Sequence, residues 1–314
     1  MRGWLLILLL GVVGVAAWLI MEKVRHQPSE SLPSSEVSTS PERSFPAESE
    51  IPPSESSSPM QPKEASPPPA NAPKPSKSFS KLTLEAAYPT TSSGCQIVRH
   101  TYYALCYDEE HEQPRWTVHI LEGANLKKGK LRRTQDFRPD PAVRTGSAEL
   151  SDYKRSGYDR GHLVPAADFK WDETGMSETF FLSNMSPQLH EFNAGIWEEV
   201  ESTVRAWAKR YGKLVVYTGP LLNKIRGKIG KSRVSIPEAF YKVVYRVEGQ
   251  TVTHAVGFIV PHKPYQREPT DFLVSVDSVE KITSIDFFPL LPDELEEKME
   301  RRVDRSVWQS LPQR

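Results

Sequence analysis

The stretch Tyr158-Asp159-Arg160-Gly161-His162 combines, within five residues, groups that can act on a phosphate ester. A neutral imidazole can accept a proton from water near pH 7. A guanidinium presents a forked donor that matches phosphate oxygens, and a glycine lets the backbone approach a ligand closely. The pattern predicts His162 as a general base and Arg160 as a phosphate contact. A histidine considered alone would be an ordinary residue at the end of a strand.

The clearest helix is predicted from about Ala194 to Tyr211. Its apolar residues recur at steps of three and four, which places them on one stripe. Asn193 stands just before the helix in an N-cap position, and Gly212 follows as a C-cap. The stripe consists of Ile196, Val200, Val204, Trp207 and Tyr211.

The start of this helix can carry a metal site. Mg²⁺ takes oxygen ligands and keeps most of its waters, so the amide oxygen of Asn193 is a suitable ligand. Glu201, two turns further along, can hold a metal-bound water, and Arg205 at i+4 can fix Glu201 or contact the substrate. Considered alone, Asn193 would be a helix cap and Glu201–Arg205 a surface ion pair.

The elements that must position these residues are mostly strands. Runs rich in β-branched and aromatic residues predict four of them, and Glu248-Gly249-Gln250 predicts a hairpin between the last two. Pro292 to Arg302 predicts an acidic-to-basic surface helix. Strands and helices do not alternate in βαβ order, so the predicted fold class is α+β. The runs are Trp116 to Leu121, Leu214 to Thr218, Phe240 to Val247 and Val252 to Val260.

The two cysteines, Cys95 and Cys106, allow a disulfide in an exported domain. The segment between them is strand-like, so pairing requires a turn or a bent strand. Two free buried thiols are the alternative. A zinc site is not expected with two cysteines and scattered histidines.

Basic residues are clustered although the net charge is zero, with 40 basic and 40 acidic residues. Neutrality argues against a protein that reads a nucleic-acid sequence, but not against an enzyme that grips a few phosphates. Two basic stretches form either solvated loops or the lips of a groove. They are Lys127, Lys128, Lys130, Arg132 and Arg133, and then Lys224, Arg226, Lys228, Lys231 and Arg233.

The chain divides into residues 1–25, 26–80 and 81–314. Trp4 to Met21 is uncharged and meets the roughly 17–25 residues that a membrane span needs. We expect an uncleaved signal-anchor over a cleaved signal peptide, because apolar residues continue past the small residues Gly14 to Ala17. The Pro/Ser/Glu-rich segment 26–80 predicts a disordered tether. The expected domain 81–314 is extracytoplasmic, anchored to the membrane by the single N-terminal helix or secreted.

From about residue 95 to 290 the chain resembles the DNA/RNA non-specific endonucleases of the ββα-metal type. The resemblance rests on Asp159-Arg160-Gly161-His162, on Leu182-Ser183-Asn184-Met185-Ser186-Pro187-Gln188, and on the run from Phe192-Asn193 through Trp197 to Glu201 and Arg205. These motifs in series make a specific match. Tyr217-Thr218-Gly219-Pro220 and Phe287-Phe288-Pro289 also look similar.

The resemblance implies a ββα-metal core with a central antiparallel sheet flanked by helices. It implies His162 as the general base, Asn193 as the one direct protein ligand of Mg²⁺, with Mn²⁺ as an alternative ion, and Glu201 as the holder of the metal's waters. Arg160 and Arg205 would assist at the phosphate.

The same resemblance implies further residues around the substrate. Asn184 and Gln188 would shape the site. The family often has another arginine upstream of the histidine motif, and Arg132, Arg133 and Arg138 are candidates; we take Arg133 and Arg138 as substrate-binding. The family often dimerises, so a homodimer is a further expectation.

The predicted activity is hydrolysis of phosphodiester bonds in DNA and/or RNA, leaving 5′-phosphate ends. The alternative is a catalytically silent, membrane-tethered receptor for nucleic acid, against which the intact set of His162, Asn193 and Glu201 argues. A surface-anchored structural protein, with the Pro-rich stalk as its working part, ranks last because the polar motifs would then have no purpose.

The other histidines carry less weight. His119 and His254 lie within predicted strands and are taken as structural. His190 is close to the predicted metal segment and can line the site. His262 follows Pro261 at a strand end and is expected to be exposed.

Overall fold

The computed structural model describes residues 82–91 and 94–309. They belong to the second of two compact units, Pro69–Arg314. The predicted signal-anchor (1–25) and tether (26–80) lie outside the described residues. Within the described part of the chain, no helix has both the length and the apolar character that a membrane crossing needs.

The strands and helices are numbered in chain order. The strands are β1 Thr90–Thr91, β2 Gln96–Arg99, β3 Tyr103–Asp108, β4 Gln113–Glu122, β5 Asp159–His162, β6 Met185–Gln188, β7 Lys213–Pro220, β8 Ile225–Ile229, β9 Val234–Pro237, β10 Ala239–Glu248, β11 Thr251–Pro261, β12 Leu273–Val274 and β13 Ile285–Asp286. The α-helices are α1 Gly123–Lys128, α2 Leu150–Tyr153, α3 Glu173–Glu178, α4 His190–Phe192, α5 Glu198–Tyr211, α6 Val276–Thr283 and α7 Asp293–Glu300. Short 3-10 turns cover Glu85–Ala87, Ala166–Phe169, Leu182–Asn184 and Pro269–Phe272, and a π-helical turn covers Asn193–Trp197.

A seven-stranded sheet forms the centre of the fold, in the order β12-β11-β10-β7-β4-β3-β2. Each neighbouring pair is antiparallel. Three two-stranded sheets accompany it, β1-β13, β5-β6 and β8-β9. The predicted α+β class with a central antiparallel sheet is therefore confirmed.

Alternating residues of the central strands pack on opposite faces of the sheet, as the two-residue period of a strand requires. Val216 and Val244 face a cluster that includes Val204 and Trp207 of α5. Val215, on the opposite face, belongs to a second cluster with residues of α6 and the C-terminal segment. Helices thus cover both faces, and α5 is fixed against the sheet by its apolar stripe.

The predicted strands are confirmed as β4, β7, β10 and β11, and β10 pairs with β11 as an antiparallel hairpin. The predicted long helix is interrupted at Gly195, which leaves the helical conformation at φ −111° and ψ −117°. The regular helix α5 begins at Glu198 and ends at Tyr211, and the C-cap Gly212 follows with a φ of +93°. Helix α7 is also shorter than predicted, and its last residues, Met299 and Glu300, are buried.

The cysteine pair closes the β2–β3 hairpin. Cys95 and Cys106 form a disulfide with Cα atoms 5.4 Å apart. The strand-like segment between them turns after Arg99 and returns as β3, which supplies the turn that pairing requires. The disulfide prediction is confirmed.

Candidate functional site

The His162 motif forms strand β5, which pairs with β6 outside the central sheet. Beside it lies a cleft of about 590 Å³. Three basic side chains and one acidic side chain are among its lining residues, so the cleft is positively charged. The lining residues are Arg133, Gln135, Phe137, Leu150, Tyr153, Lys154, Tyr158, Asp159, Arg160 and Asn193.

His162 sits behind the cleft wall in an aromatic pocket, which we define as His162 with Phe137 and Phe180. The imidazole meets the Phe137 ring at 5.7 Å between centroids and the Phe180 ring at 4.8 Å, both edge to face. Burial, helped by the charges of Arg133 and Arg160, lowers the pKa of His162 to about 3. The ring is therefore neutral at physiological pH, the state that a base requires.

Two further contacts join the aromatic pocket to the cleft. The Arg160 guanidinium lies 4.2 Å from the centre of the Phe137 ring, and that of Arg133 lies 5.4 Å from the centre of the Phe180 ring. The Nε2 atom of His162 is buried and has no hydrogen-bond partner among the described residues. A buried polar atom of this kind usually bonds water or a ligand, so Nε2 is free to accept a proton.

Gly161 is required by a neighbouring side chain. A Cβ atom at this position would lie 2.1 Å from Cδ of Gln188. Gln188 is fully buried, opposite Asp159 on strand β6, and neither its Nε2 nor its Oε1 has a partner among the described residues. The amide therefore packs across β5 and holds its backbone in place.

Asp159 connects strand β5 to the segment of Asn193. Its Oδ2 accepts a hydrogen bond from Nδ2 of Asn193 at 3.0 Å and lies 2.9 Å from Nδ1 of His190. The bond occupies the amide nitrogen of Asn193 and leaves its oxygen available. Asn193 is therefore not the N-cap that the sequence predicted, since its side chain makes no capping bond. His190 is exposed and adjoins the cleft through Asp159.

A charge network, which we define as His119, Asp168, Glu201, Arg205 and Lys242, lies between α5 and the central sheet. His119 Nε2 lies 3.0 Å from Oδ2 of Asp168, and Arg205 Nη1 lies 3.3 Å from its Oδ1. The same Nη1 lies 3.8 Å from Oε2 of Glu201, and Arg205 Nη2 contacts Glu198 at 3.1 Å. The Glu201–Arg205 pair is thus one part of a larger network.

Lys242 is the least expected member of the charge network, with 1% of its surface exposed. Its Nζ donates to Oγ1 of Thr218 at 2.8 Å and lies 4.8 Å from the centre of the Trp197 ring. Burial lowers the pKa of Lys242, and burial raises the pKa of Glu201, while the charge of each opposes the shift of the other. Lys242 therefore favours the ionised form of Glu201.

The remaining predicted site residues lie around the cleft or behind it. Asn184 is fully buried: its Oδ1 accepts from Val164 N, and its Nδ2 donates to the carbonyls of Val164 and Thr179. Arg138 donates to Asp136 and to the Ser177 carbonyl and lies on the Phe181 ring. Arg133, Arg160 and Asn193 line the cleft, whereas His162, Asn184, Gln188, Glu201, Arg205 and Arg138 do not.

The side chains at the cleft suit a hydrated Mg²⁺. The amide oxygen of Asn193 and the carboxylate of Asp159 are hard oxygen donors within one hydrogen-bonded pair. Among the described residues, the group of carboxylates close enough to hold a metal together is Asp277, Glu280 and Glu300, none of which lines the cleft. A cleft with few charged ligands fits an ion that keeps most of its own water.

Sequence reasoning missed several of these residues. Asp168, Lys242 and the two phenylalanines of the aromatic pocket carry no local motif, and they meet the site only through long-range packing. His262 was expected to be exposed and is fully buried. Its Nε2 accepts from Leu189 N at 2.7 Å and its Nδ1 lies 2.9 Å from the Pro237 carbonyl, so it supports the segment that leads to Asn193.

Comparison with known proteins gives consistent matches. Residues 83–294 match the model of the DNA/RNA non-specific endonuclease family. Mitochondrial nuclease EXOG of Danio rerio is 37% identical over 63% of this chain and 62% of its own length. Human mitochondrial endonuclease G is 33% identical over 62% of this chain and 70% of its length. A mitochondrial nuclease of Saccharomyces cerevisiae is 31% identical over 65% and 69%.

A solved structure shows the same fold. The crystal structure of the EndoG/EndoGI complex, described as revealing the mechanism of EndoG inhibition, contains a chain with a TM-score of 0.62 and 28% identity. The match covers 68% of this chain and 92% of that one. The matched part of this chain spans 62% and 63% of the EXOG proteins of Danio rerio and Homo sapiens, less than two thirds of their length.

The relatives overturn the expected localisation. An extracytoplasmic domain, anchored or secreted, was expected from the N-terminal segment. The relatives from fish, human and yeast are instead named as mitochondrial nucleases. The localisation prediction is therefore wrong, and membrane anchoring has no support from the described residues.

The enzyme class expected from the three motifs is confirmed at the level of the family. The matching family model describes endonucleases, and the relatives are named as nucleases. The match covers more than half of the chain and contains strand β5, the Asn193 turn and helix α5. The chain belongs to the DNA/RNA non-specific endonuclease family.

Proposed function

We propose that this chain is a metal-dependent endonuclease that hydrolyses phosphodiester bonds of DNA and/or RNA. The observation that carries the proposal is the buried Nε2 of His162, which has no partner among the described residues and adjoins a cleft lined by arginines. His162 is the general base. It accepts a proton from water, the water oxygen attacks phosphorus in line, and the bond to the 3′ oxygen breaks. The products carry 5′-phosphate ends.

Arginines at the cleft contact the reacting phosphate. Arg160 and Arg133 lie on the two rings of the aromatic pocket, so their guanidinium groups are held close to His162. A forked guanidinium binds two phosphate oxygens at once. Because Arg138 makes its contacts away from the cleft, we propose a structural role for it.

Asn193 supplies the direct protein ligand of Mg²⁺, or of Mn²⁺ in its place. When bound, the ion would neutralise charge on the phosphate and stabilise the leaving 3′ oxygen. The bond from Asn193 Nδ2 to Asp159 supports this role, because it occupies the amide nitrogen and leaves the amide oxygen available. Glu201 would accept hydrogen bonds from the waters of the bound ion, and Arg205 holds Glu201 in place.

Two of the proposed site residues, Asn184 and Gln188, act by fixing the backbone around His162. Asn184 bonds both the N–H and the carbonyl of Val164, two residues after His162, and so fixes the end of β5. Gln188 packs against Gly161 from the facing strand. Both residues therefore shape the site by holding the backbone of β5, and neither needs to contact the substrate.

A plasmid-nicking assay tests the proposal. The purified wild-type protein should convert supercoiled DNA to nicked and linear forms with Mg²⁺ or Mn²⁺ and stop when EDTA is added. His162→Ala should lose cleavage while retaining its circular dichroism spectrum. His254→Ala, a histidine in strand β11 away from the cleft, is the matched control and should keep full activity.

The same purified proteins test the chemistry of the product ends and the alternative function as a catalytically silent binding protein. Ends that accept labelled phosphate from polynucleotide kinase only after phosphatase treatment would support 5′-phosphate products. Full activity of His162→Ala would refute the assignment of the base. A wild-type protein that binds DNA and RNA but cleaves neither with any divalent ion would support the catalytically silent binding protein instead. Sedimentation of the same protein tests whether it forms a homodimer.

A further inference from the structure

The hairpin β8–β9 carries positive charge that the fold does not neutralise. From Asn223 to Pro237 the chain has five basic residues and no acidic one. Lys228 is half-buried and donates to the Glu110 carbonyl at 2.6 Å. The other four are exposed, and within the described ranges none has an ion-pair partner. These four are Lys224, Arg226, Lys231 and Arg233.

The apolar side of this hairpin is packed against the wall of the cleft. Ile229, Val234 and Ile236 share one buried cluster with Tyr153 and, at its edge, Tyr158. Both tyrosines line the cleft. The basic side of the hairpin is therefore held at a fixed position beside the cleft.

The tip of the hairpin is anchored through Asp152. Gly230 has a φ of +66°, and a Cβ atom there would lie 2.2 Å from Oδ1 of Asp152. Only glycine therefore allows the tip to approach Asp152 this closely. Ser232 N donates to the same oxygen at 3.0 Å. Because Asp152 is buried and accepts backbone N–H groups, it makes no ion pair with Lys231 or Arg233.

The charge matches a chain of phosphates. Lys154 lies in the cleft directly after Tyr153, and Tyr153 packs against the hairpin, so positive side chains occur both in the cleft and on the hairpin beside it. A polynucleotide carries one negative charge per phosphate, so several exposed basic residues in one short segment can each neutralise one.

We propose that the hairpin β8–β9 binds the phosphate backbone of a polynucleotide beyond the bond that is cleaved. This inference rests on the proposed function of the cleft. An acidic protein is the weaker fit, since protein interfaces are centred on large buried anchors, whereas the apolar residues of the hairpin are turned into the cluster with the tyrosines. Contacts to phosphate alone carry no sequence information, which agrees with the family.

The test removes the four exposed charges and separates binding from chemistry. The variant K224Q/R226Q/K231Q/R233Q is compared with the control variant K209Q/K281Q/K298Q/R302Q, which removes four exposed basic residues from α5, α6, α7 and the residues after α7. Binding of a labelled 30-base-pair duplex is measured by fluorescence anisotropy between 50 and 200 mM salt, with His162→Ala added to each protein to prevent cleavage. Cleavage of the same duplex and of a p-nitrophenyl ester of thymidine 5′-phosphate is measured without that change.

The hairpin variant should bind the duplex roughly 10- to 100-fold more weakly, and its slope of log K against log salt should fall by about 3, since each lost phosphate contact contributes ~0.7–0.9. Its kcat/KM on the small ester should equal that of the wild type. Duplex binding and slope equal to those of the control variant would overturn the inference, as would an equal loss on the small ester. If the wild type cleaves neither substrate, the proposed function fails, and the anisotropy data still decide the role of the hairpin.

Discussion

Two ionisable residues of the candidate site, the buried His162 and the partly buried Glu201, are held in contrasting surroundings. His162 packs edge to face with two phenylalanines, Nε2 has no polar partner within the described ranges, and burial keeps the ring neutral. Burial raises the pKa of the Glu201 carboxyl to about 7, and the charges of Lys242 and Arg205 oppose that rise. The difference shows how one site can treat two ionisable groups differently. Apolar packing keeps the first uncharged, and the neighbouring cations favour the ionised form of the second against the effect of burial.

We expect a substitution in the charge network to lower the free energy of unfolding more than one in the aromatic pocket. Asp168→Ala leaves His119 and Arg205 buried without their shared carboxylate, which we expect to lower the free energy of unfolding by about 3–5 kcal/mol. Urea denaturation measures the loss. Asp271→Ala is the control, because it removes an exposed i,i+4 partner of Arg267 and should cost about 0–1 kcal/mol. Equal losses for the two variants would contradict the buried network.

The aromatic pocket should appear in the pH dependence of stability. The pKa of His162 is lowered in the folded protein, so below pH 6.5 the unfolded chain takes up a proton that the native ring refuses. Stability is therefore lost as pH falls from 6.5 toward about 3, by up to ~1.4 kcal/mol per pH unit.

His162→Gln, which cannot titrate, should remove this contribution. The comparison is the free energy of unfolding of the wild type and the variant from pH 7 to 4.5, where the two curves should diverge by about 3 kcal/mol at the acid end. Parallel curves over that range would show that the ring already protonates in the folded protein.

The backbone of strand β5 depends on the packing contact between Gly161 and Gln188. Gly161→Ala forces a Cβ atom against the buried amide, which we expect to cost about 1–3 kcal/mol and to reduce activity. The double variant Gly161→Ala/Gln188→Ala should recover part of the stability, because the clash is gone. Strict additivity of the two single changes in thermal unfolding would exclude the packing explanation.

The smallest effect that we expect is on the pH dependence of activity when Lys242 is replaced. Lys242→Met removes a cation that lowers the pKa of Glu201, so this already raised pKa rises further. If the ionised carboxylate is needed, activity is lost as pH falls through that pKa, and the acid limb of kcat/KM should move to higher pH. We expect about a tenfold loss at pH 6 and little at pH 8.5. An unshifted profile would show that Lys242 is only structural.

The sequence alone was enough to predict four of the seven central strands, helix α5, the cysteine pair and the order of the three motifs. Each depends on local periodicity or on residues close together in the chain. It misjudged Asn193 as a cap and gave no sign of the contact between Gly161 and Gln188, because the partners Asp159 and Gln188 are brought in by the β5–β6 pairing. Asp168 and Lys242 escaped notice since a buried charge on a strand or turn has no distinguishing pattern before its partners are known.

The most direct test of the account is an NMR titration of the His162 ring in the folded, metal-free protein, with its signals assigned by comparison with His162→Gln. A neutral, desolvated base predicts a titration midpoint far below 6.5, near the pKa of about 3 that burial and the two arginines impose. A midpoint at or above 6.5 would mean that the imidazole is solvated or paired with an acid. The aromatic pocket would then not be what prepares it for catalysis.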